Sequence, residues 1–360
     1  MLITDKTSLQ NHESSDRKWQ GIPSIERTAK GRIFLTWYSG GITEQMGNYS
    51  LLVYSDDDGK TFSKPVAVAD VGADARAYDP TLWIDPLGRL WFIWSVMPQN
   101  RVEFSIVEDP DAETLEFGEV RVLGFDVMLN KPIVTKNGEW LFPCAVWKNG
   151  LLSCGLGSDG NPAGAHVFRS TDEGKTFERL GAVNAADGWY DEHMLLEHLD
   201  GSVEMFIRTK CGVASAVSTD GCKTFTEARD CGFGGPNSRF HVKRLRSGNI
   251  LLVNHYRFVG RSHLTALLST DDGKTFPYTL LLDERKSVSY PDAVEDENGY
   301  IYVTYDRERG AQYHADRDYT DAAREILLAK FTEKDILAGE LVSEGSKLKM
   351  IADKIVLSKN

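Results

Sequence analysis

The sequence predicts an all-β protein, a six-bladed β-propeller with four-stranded antiparallel blades. The first observation behind this prediction is a repeated eight-residue pattern, Ser-x-Asp-x-Gly-x-Thr-Phe. The last three copies begin 48 and 51 residues apart, and the first begins 115 residues before the second, about two such periods. A period near 50 residues in a β-rich chain is typical of propeller blades. The copies stand at 55–62, 170–177, 269–276 and, altered to STDGCKTF, at 218–225.

Each copy of this pattern predicts a hairpin turn between two strands, because each follows a strand-like run such as YSLLVYS or LTALLS. Its Ser and Asp side chains can bond to the backbone of a tight turn, and its Gly supplies a positive φ angle. The Phe is expected to open the next strand and to pack inward. The turn would join the two outer strands of a blade, so we interpret it as a folding element at the periphery rather than as the reactive site.

The second observation is a longer repeat of six segments, each with an opening strand, a Gly-containing turn and a very apolar return strand. Their turns read AKGR, PLGR, KNGE, LDGS, RSGN and ENGY. Six units of about four strands fill nearly the whole chain, which predicts six blades. The segments begin at Ile22, Asp79, Lys131, Glu192, Ser238 and Tyr290.

We therefore predict a single propeller domain over residues 1–360. The terminal stretches 1–20 and 340–358 lie outside the six units, and one of them is expected to complete the last blade and close the ring, which removes exposed edges. Helix is predicted only for TEKDILAG at 332–339.

The composition excludes several classes of protein. Hydrophobic residues make up 41% of the chain, enough for a sizeable core, and the net charge is −12 with no Lys/Arg-rich run, which argues against a nucleic-acid partner. Five cysteines without metal-ligand spacing indicate neither a disulfide framework nor a zinc site. No metal or organic cofactor is expected. Without an apolar leader or membrane span in the sequence, we expect a soluble protein of the cytoplasm, exported only if a leader has been removed.

Ligands of propellers usually sit over the central channel, at the face where the opening strands begin. There the sequence places arginines, carboxylates and aromatic residues, a combination suited to an anionic sugar, because guanidinium groups grip carboxylates and aromatic rings stack on sugar rings. The residues expected at this face are Glu44, Arg76, Tyr78, Asp79, Asp126, Asn130, Lys131, Trp189, Tyr190, Asp191, Glu192, His193, Arg208, Asn237, Arg239, Arg261, Tyr290 and Asp292.

Over residues 20–330 the sequence resembles the sialidase (neuraminidase) superfamily of six-bladed propellers, whose Asp boxes are similar to the Ser-x-Asp-x-Gly-x-Thr-Phe repeats. The segment DEHMLLEHLDGSVEMFIRT resembles the one that carries a catalytic Glu and a substrate-binding Arg, which implies Glu192 and Arg208 in these roles. By the same resemblance, RSHLTALLSTDDGKTF implies Arg261 as a second clamp, and SVSYPDAV implies Tyr290 as the nucleophile.

The chemistry of such a site follows from charge. A sialoside carries a carboxylate on its anomeric carbon and would repel a carboxylate nucleophile. A neutral Tyr avoids this repulsion, but its free pKa of about 10 means that it needs a base, here Glu192, and flanking arginines lower the phenol pKa further. An acid on the opposite face must protonate the leaving oxygen.

Two positions depart from the family pattern. The first clamp in sialidases is the Arg of an Arg-Ile-Pro motif, but here the motif reads Gly21-Ile22-Pro23. We expect Arg76 or Arg239 to replace the lost guanidinium. The acid Asp of the family has no counterpart either, and Glu44 is the only carboxylate in the corresponding loop SGGITEQMGNY.

The sequence thus predicts a retaining glycosidase of sialidase type that releases a terminal, acidic sugar from a glycan or small carbohydrate. Tyr290, Glu192 and Glu44 are the expected catalytic residues, and the expected substrate-binding residues are Arg208, Arg261, Arg239, Arg76 and Asp79. Asp306, Arg307 and Arg309 are interpreted as loop residues of blade six. The alternatives are a propeller hydrolase or lyase for another sugar, such as a uronide or rhamnoside, with His193 or Tyr290 as base, a non-catalytic glycan-binding propeller, and a scaffold.

Overall fold

The structure, a computed structural model, describes residues 1–125, 127–147, 163–188, 190–310 and 322–357. In this part of the chain the strands form six antiparallel sheets. Neighbouring sheets pack face to face, and the first packs against the sixth through their innermost strands, which closes a ring. The predicted six-bladed β-propeller is therefore confirmed.

The strands of each blade follow one another along the chain. Blade one contains β1 (Leu2–Ile3), β2 (Trp19–Arg27), β3 (Ile33–Gly40), β4 (Tyr49–Ser55) and β5 (Ala67–Ala69). Blade two contains β6 (Arg76–Ile84), β7 (Leu90–Met97), β8 (Arg101–Val107) and β9 (Arg121–Phe125). Blade three contains β10 (Ile133–Val134), β11 (Trp140–Val146), β12 (Gly164–Ser170) and β13 (Glu178–Val183).

The second half of the ring repeats this arrangement. Blade four contains β14 (Met194–Glu197), β15 (Val203–Thr209), β16 (Gly212–Ser218) and β17 (Arg229–Asp230). Blade five contains β18 (His241–Arg244), β19 (Ile250–Asn254), β20 (Leu264–Ser269) and β21 (Tyr278–Asp283). Blade six contains β22 (Val288–Glu295), β23 (Tyr300–Arg307), β24 (Glu325–Thr332) and β25 (Lys347–Lys354).

The two ends of the chain have different places in the ring. The C-terminal strand β25 pairs with β24 and completes the last blade, as one of the two ends was expected to do. The N-terminal strand β1 instead pairs with β5 and adds a fifth strand to blade one. Both ends therefore cover the outer edge of a blade, where an unpaired strand would expose its backbone hydrogen-bonding groups.

Helices are short and few in the described residues. They are α1 (Lys6–Leu9) and α2 (Glu333–Ala338), with 3-10 turns at Gln10–His12 and Ser14–Asp16. The helix expected at 332–339 is confirmed, and a capping box between Thr332 and Asp335 begins it, as Thr332 N donates to Asp335 Oδ2 at 2.8 Å. None of the helices in these ranges has the length and apolar character that a membrane crossing requires.

The core lies between the blades. Strands of blades five and six share one buried cluster that contains Leu251, Leu268, Val303 and Phe331, all fully buried. An aromatic cluster joins blades two and three in the same way, with the rings of Trp83 in blade two and Trp140 in blade three 4.9 Å apart between centroids. Because the return strands are buried on both faces, they read as continuous apolar runs rather than as alternating ones.

The repeated eight-residue pattern forms the turns that join β4 to β5, β12 to β13, β16 to β17 and β20 to β21. In the copy at 170–177, Ser170 Oγ donates to Asp172 Oδ1 at 2.9 Å, and Asp172 accepts from the backbone and hydroxyl of Thr176 at 2.9 and 2.6 Å. Hydrogen bonds from Thr176 hold the pKa of Asp172 well below its usual value. The other three copies repeat these bonds, so the folding role of the pattern is confirmed.

Candidate active site at the channel mouth

Blades one, two and six each have a bulge near the beginning of the opening strand. At each bulge, a residue with a positive φ angle stands directly before a proline: Ile22 (60°), Asp79 (48°) and Tyr290 (57°). Such angles cost a residue with a Cβ atom about 1–3 kcal/mol and persist only where the surroundings enforce them. A bulge changes the direction in which the side chains of a strand point. Ile22 and Tyr290 pack in one cluster with Tyr78 and Leu129 of other blades. Strands from different blades therefore meet at one channel mouth.

Tyr290, Glu192 and Arg208 form a buried triangle at this mouth. Tyr290 Oη donates to Glu192 Oε1 at 2.7 Å. Arg208 Nη1 donates to the same carboxylate oxygen at 2.5 Å and to Tyr290 Oη at 2.9 Å. All three residues are at most 5% exposed, and Glu192 Oε2 is buried without a hydrogen-bond partner in the described part of the chain. The sequence prediction that these residues lie together is therefore in agreement with their placement.

The protonation of the phenol follows from burial. Burial raises the pKa of Tyr290 well above its usual value, while the positive charge of Arg208 opposes this rise. The sequence argument, in which flanking arginines lower the phenol pKa, thus omitted burial, which has the larger effect and raises the pKa. At neutral pH Tyr290 therefore keeps its proton and donates it in the hydrogen bond to Glu192.

Two arginines of blades four and five are held at the triangle by Asn237. Arg208 Nε donates to Asn237 Oδ1 at 2.6 Å, and its guanidinium lies over the ring of Tyr190. Arg261 lies over the ring of Tyr290 at 5.2 Å, and its Nη2 donates a long hydrogen bond of 3.4 Å to the Asn237 carbonyl. Burial lowers the pKa of Arg261. Among the described residues Arg261 forms no ion pair, which leaves its charge available to an anionic ligand.

A third arginine, Arg309, lies at the same place, although the sequence interpretation assigned it to a loop. Its guanidinium is 4.1 Å from the centroid of the Tyr290 ring. Arg309 Nε donates to Asp306 Oδ2 at 2.8 Å, Nη2 donates to Ser289 Oγ at 3.1 Å, and Nη1 lies 3.5 Å from Glu44 Oε1. Its side chain is only 5% exposed. Arg309 is thus a residue of the mouth that sequence reasoning missed.

The two arginines that were expected to replace the lost guanidinium take different positions, one inside the channel and one at the rim of the mouth. Arg239 is fully buried and donates to Asn130 Oδ1 at 2.7 Å and to the carbonyls of Pro23 and Leu129 at 3.0 and 2.6 Å. These protein acceptors occupy all of its guanidinium nitrogens, so Arg239 braces the channel. Arg76 is half-buried at the rim, where Nη1 donates to the Tyr38 hydroxyl at 3.2 Å.

Two carboxyl groups face the mouth from blades one and two. Asp79 is 4% exposed, and burial together with the negative charges of Glu192 and Glu44 raises its pKa to about 8. Glu44 lies at the rim, with its side chain 34% exposed. At neutral pH Asp79 therefore holds a proton that it can donate.

A row of aromatic rings lines the mouth beside the arginines, with Arg208 over the ring of Tyr190 and Arg76 over the ring of Tyr78. The rings of Tyr38 and Tyr78 are 6.4 Å apart, those of Tyr78 and Trp147 are 6.3 Å apart, and those of Trp147 and Tyr190 are 5.1 Å apart. The mouth thus combines guanidinium groups with aromatic rings. Asp126 and Trp189, two residues predicted at this face, lie outside the described residues.

His193, the alternative base of a lyase, is engaged by the backbone. Its Nδ1 and Nε2 lie 2.9 and 2.8 Å from the carbonyl oxygens of Asp191 and His166. Burial lowers its pKa to about 4. With both ring nitrogens facing protein carbonyls, His193 has no nitrogen directed at a ligand.

A six-bladed propeller with Asp-box turns and this polar mouth defines the sialidase-like class of BNR propellers. The chain belongs to the BNR repeat-like domain family, whose model matches residues 119–303, more than half of the chain. No curated protein matches the sequence.

Solved structures with the same fold differ strongly in sequence. A leech intramolecular trans-sialidase in complex with 2,7-anhydro-Neu5Ac is 13% identical, with a TM-score of 0.69 over 91% of this chain and 70% of that one. A Hadza microbial sialidase is 17% identical, with a TM-score of 0.64 over 80% of this chain, and the match spans only 63% of its length. A Penicillium chrysogenum α-L-arabinanase in complex with arabinobiose is 13% identical, with a TM-score of 0.59 over 88% of this chain and 94% of that one. At these identities the similarity establishes the fold alone.

Proposed function

We propose that this protein is a glycoside hydrolase of sialidase type, which releases a terminal acidic sugar from glycans with Tyr290 as nucleophile and Glu192 as its base. The observation that carries the proposal is the buried hydrogen bond of 2.7 Å from Tyr290 Oη to Glu192 Oε1, with Arg208 donating to both atoms. A Tyr nucleophile suits a substrate whose reacting carbon bears a carboxylate. Sialidases, which use a Tyr nucleophile, are an exception among glycosidases, most of which use a pair of carboxylates.

In this mechanism the phenol oxygen attacks the anomeric carbon, the bond from that carbon to the leaving-group oxygen breaks, and the phenol proton passes to Glu192. Water then displaces the tyrosyl oxygen, which recovers its proton from Glu192, while the acid that protonated the leaving group takes a proton from that water. The raised pKa of Tyr290, caused by burial, makes a free phenolate unfavourable, so proton transfer and attack occur together. Arg208 Nη1 donates to both Tyr290 Oη and Glu192 Oε1, so it stabilises the negative charge on these two oxygens during the proton transfer. Arg261, which has no ion pair in the described ranges, is positioned to bind the substrate carboxylate.

We propose that Asp79 is the general acid, which donates a proton to the leaving-group oxygen. A buried carboxyl whose pKa is raised to about 8 stays protonated at neutral pH and can serve as a general acid. Glu44, the residue that the sequence suggested, is more exposed, and its Oε1 lies 3.5 Å from Arg309 Nη1.

A second candidate is a hydrolase for a neutral sugar. The glycine at position 21, where sialidases carry an arginine, favours it, and so does the fold shared with an arabinanase. In that case the aromatic rings of the mouth would supply most of the binding.

A panel of aryl sialosides, uronides, rhamnosides, fucosides and arabinofuranosides tests the proposal. We expect the protein to hydrolyse acidic members, and Tyr290→Phe to lose turnover on the order of a thousandfold or more while keeping its Tm. Tyr278→Phe is the matched control, because Tyr278 is exposed on β21. Preference for a neutral glycoside would favour the second candidate, and undiminished turnover by Tyr290→Phe would remove the tyrosine mechanism.

A further inference from the structure

We propose that Gly21 and Arg309 form a coupled pair, in which Gly21 leaves the space through which Arg309 reaches Tyr290 and Arg309 sets the specificity for a carboxylate. Arg309 would thereby supply, from blade six, the guanidinium that position 21 lacks in blade one. This inference rests on the proposed function, because it concerns the substrate class of the same site.

The first argument is steric. A Cβ atom added to Gly21 would lie 2.6 Å from Arg309 Cδ, 2.7 Å from Cγ and 2.8 Å from Nε. The backbone of Gly21 itself has no positive φ angle, so its conformation does not demand glycine. A glycine inside a strand often marks a place where another group approaches closely, and at position 21 that group is the side chain of Arg309.

The second argument is that Arg309 is fixed between two blades. Its carbonyl accepts from Gln20 N at 3.0 Å, and its Nε donates to Asp306 Oδ2. The same carboxylate oxygen accepts from Ile22 N at 2.7 Å, and Ser289, next to Tyr290, accepts from Arg309 Nη2. Arg309 is therefore preorganised against the nucleophile by contacts to both the first and the last blade.

The third argument concerns charge. Three guanidinium groups, those of Arg208, Arg261 and Arg309, lie against Tyr290. Glu192 pairs with Arg208 and Asp306 with Arg309, which leaves the positive charge of Arg261 unmatched by an ion pair in the described residues. Glu44, at the rim, occupies the face of Arg309 that a substrate carboxylate would take. The mouth thus fits a sugar with a carboxylate at the carbon that Tyr290 attacks.

A double-mutant cycle tests the steric coupling without any ligand. We expect Gly21→Ala to lower the Tm clearly in the wild-type background, because Arg309 must move, and to lower it much less in the Arg309→Ala background. Equal effects of Gly21→Ala in both backgrounds would overturn the coupling.

Binding of matched acids and esters tests the specificity. By calorimetry, we expect the wild type to bind N-acetylneuraminate, whose carboxylate is on the anomeric carbon, more tightly than its methyl ester. Arg309→Ala should weaken binding of the acid about tenfold or more and leave the ester nearly unchanged, since a charge-assisted hydrogen bond is lost. Arg246→Ala is the control, because this exposed arginine lies in the turn after β18, outside the mouth. Gly21→Arg combined with Arg309→Ala should restore part of the preference.

The outcomes separate the two proposals. An acid preference that is absent in the wild type, or that survives Arg309→Ala, overturns the inference. An acid preference that depends on Arg309, in a protein that hydrolyses no aryl glycoside, upholds the inference and rejects the hydrolase.

Discussion

At the scale of single residues, Asp79 combines features that are costly for folding. It is buried, its φ angle is positive, and its neighbours Glu192 and Glu44 are negative. Strain and a perturbed pKa at one residue of a cleft are typical of functional sites rather than of structural ones. Asp79 therefore offers two separate tests, one of activity and one of stability.

In the activity test, we expect Asp79→Asn to lower kcat about 100- to 10,000-fold on the best substrate of the panel, because the leaving group loses its proton donor. Glu44→Gln should lower kcat far less. Steady-state rates on substrates with good and poor leaving groups provide the measurement, and a poor leaving group should show the larger loss. The reverse ranking of the two variants would transfer the role of acid to Glu44.

In the stability test, the sign follows from the raised pKa. Folded Asp79 has a pKa of about 8, whereas the unfolded residue titrates near 3.9, so the folded state holds the extra proton between these values. The contribution of Asp79 to the free energy of unfolding is largest below about pH 4 and is lost as the pH rises toward 8. The wild type should therefore lose Tm relative to Asp79→Asn between pH 5 and pH 8. Asp74→Asn, at an exposed site, is the control and should show no such change.

The sequence located part of this site and missed part, for a physical reason. Glu192, Arg208, Arg261 and Tyr290 stand at the ends of strands in motifs that can be aligned with a family pattern. Arg309 follows the end of β23 in the charged run DRERG, where arginines commonly pair on the surface. Its position depends on a contact across the ring closure with Gly21, and no local pattern reports that contact.

At the scale of elements, the Asp-box turn also packs tightly between blades. We call this contact, in which the fifth residue of the turn lies against a neighbouring blade, the wedge. A Cβ atom at Gly174 would lie 2.3 Å from the Trp91 ring of blade two, and one at Gly59 would lie 2.7 Å from Leu328 of blade six. In the altered copy, Cys222 takes the equivalent position with a φ of 63° and packs with Leu141 of blade three. The sequence predicted the turn, because its hydrogen bonds are local, but not the wedge, because the facing residue belongs to another blade.

Gly174→Ala tests the wedge against a matched control. Gly174 and Gly138 lie in blade three with the same φ of 81°, but a Cβ atom at Gly138 would meet nothing within 4 Å. We expect Gly138→Ala to lower the free energy of unfolding by about 1–2 kcal/mol, the cost of the left-handed conformation. Gly174→Ala should cost about 1–3 kcal/mol more, because it also overpacks Trp91. Denaturant titrations that give equal losses for the two variants would contradict the wedge.

At the scale of the whole molecule, one carboxylate below the mouth connects four blades. Asp292 of blade six is fully buried and accepts from Ser24 Oγ at 2.6 Å and from Ile25 N at 2.9 Å in blade one. Its oxygens also lie 3.2 Å from Lys131 Nζ of blade three and 3.1 Å from His241 Nδ1 of blade five. Contacts between such distant parts of the chain form only when the ring is closed, so we propose that the propeller unfolds as a single domain.

Asp292→Asn should therefore weaken the entire ring rather than one blade. Removing the negative charge leaves the buried ammonium of Lys131 with Glu26 as its remaining carboxylate partner, at 2.9 Å, and we expect a loss of about 3–5 kcal/mol in the free energy of unfolding. Lys131→Met added to Asp292→Asn should recover part of this loss, because the two groups are coupled. Calorimetry should show one transition for both variants, with the calorimetric enthalpy equal to the van't Hoff enthalpy. A separate early transition in Asp292→Asn would mean that the blades around the axis unfold independently and that the charge network does not hold the ring together.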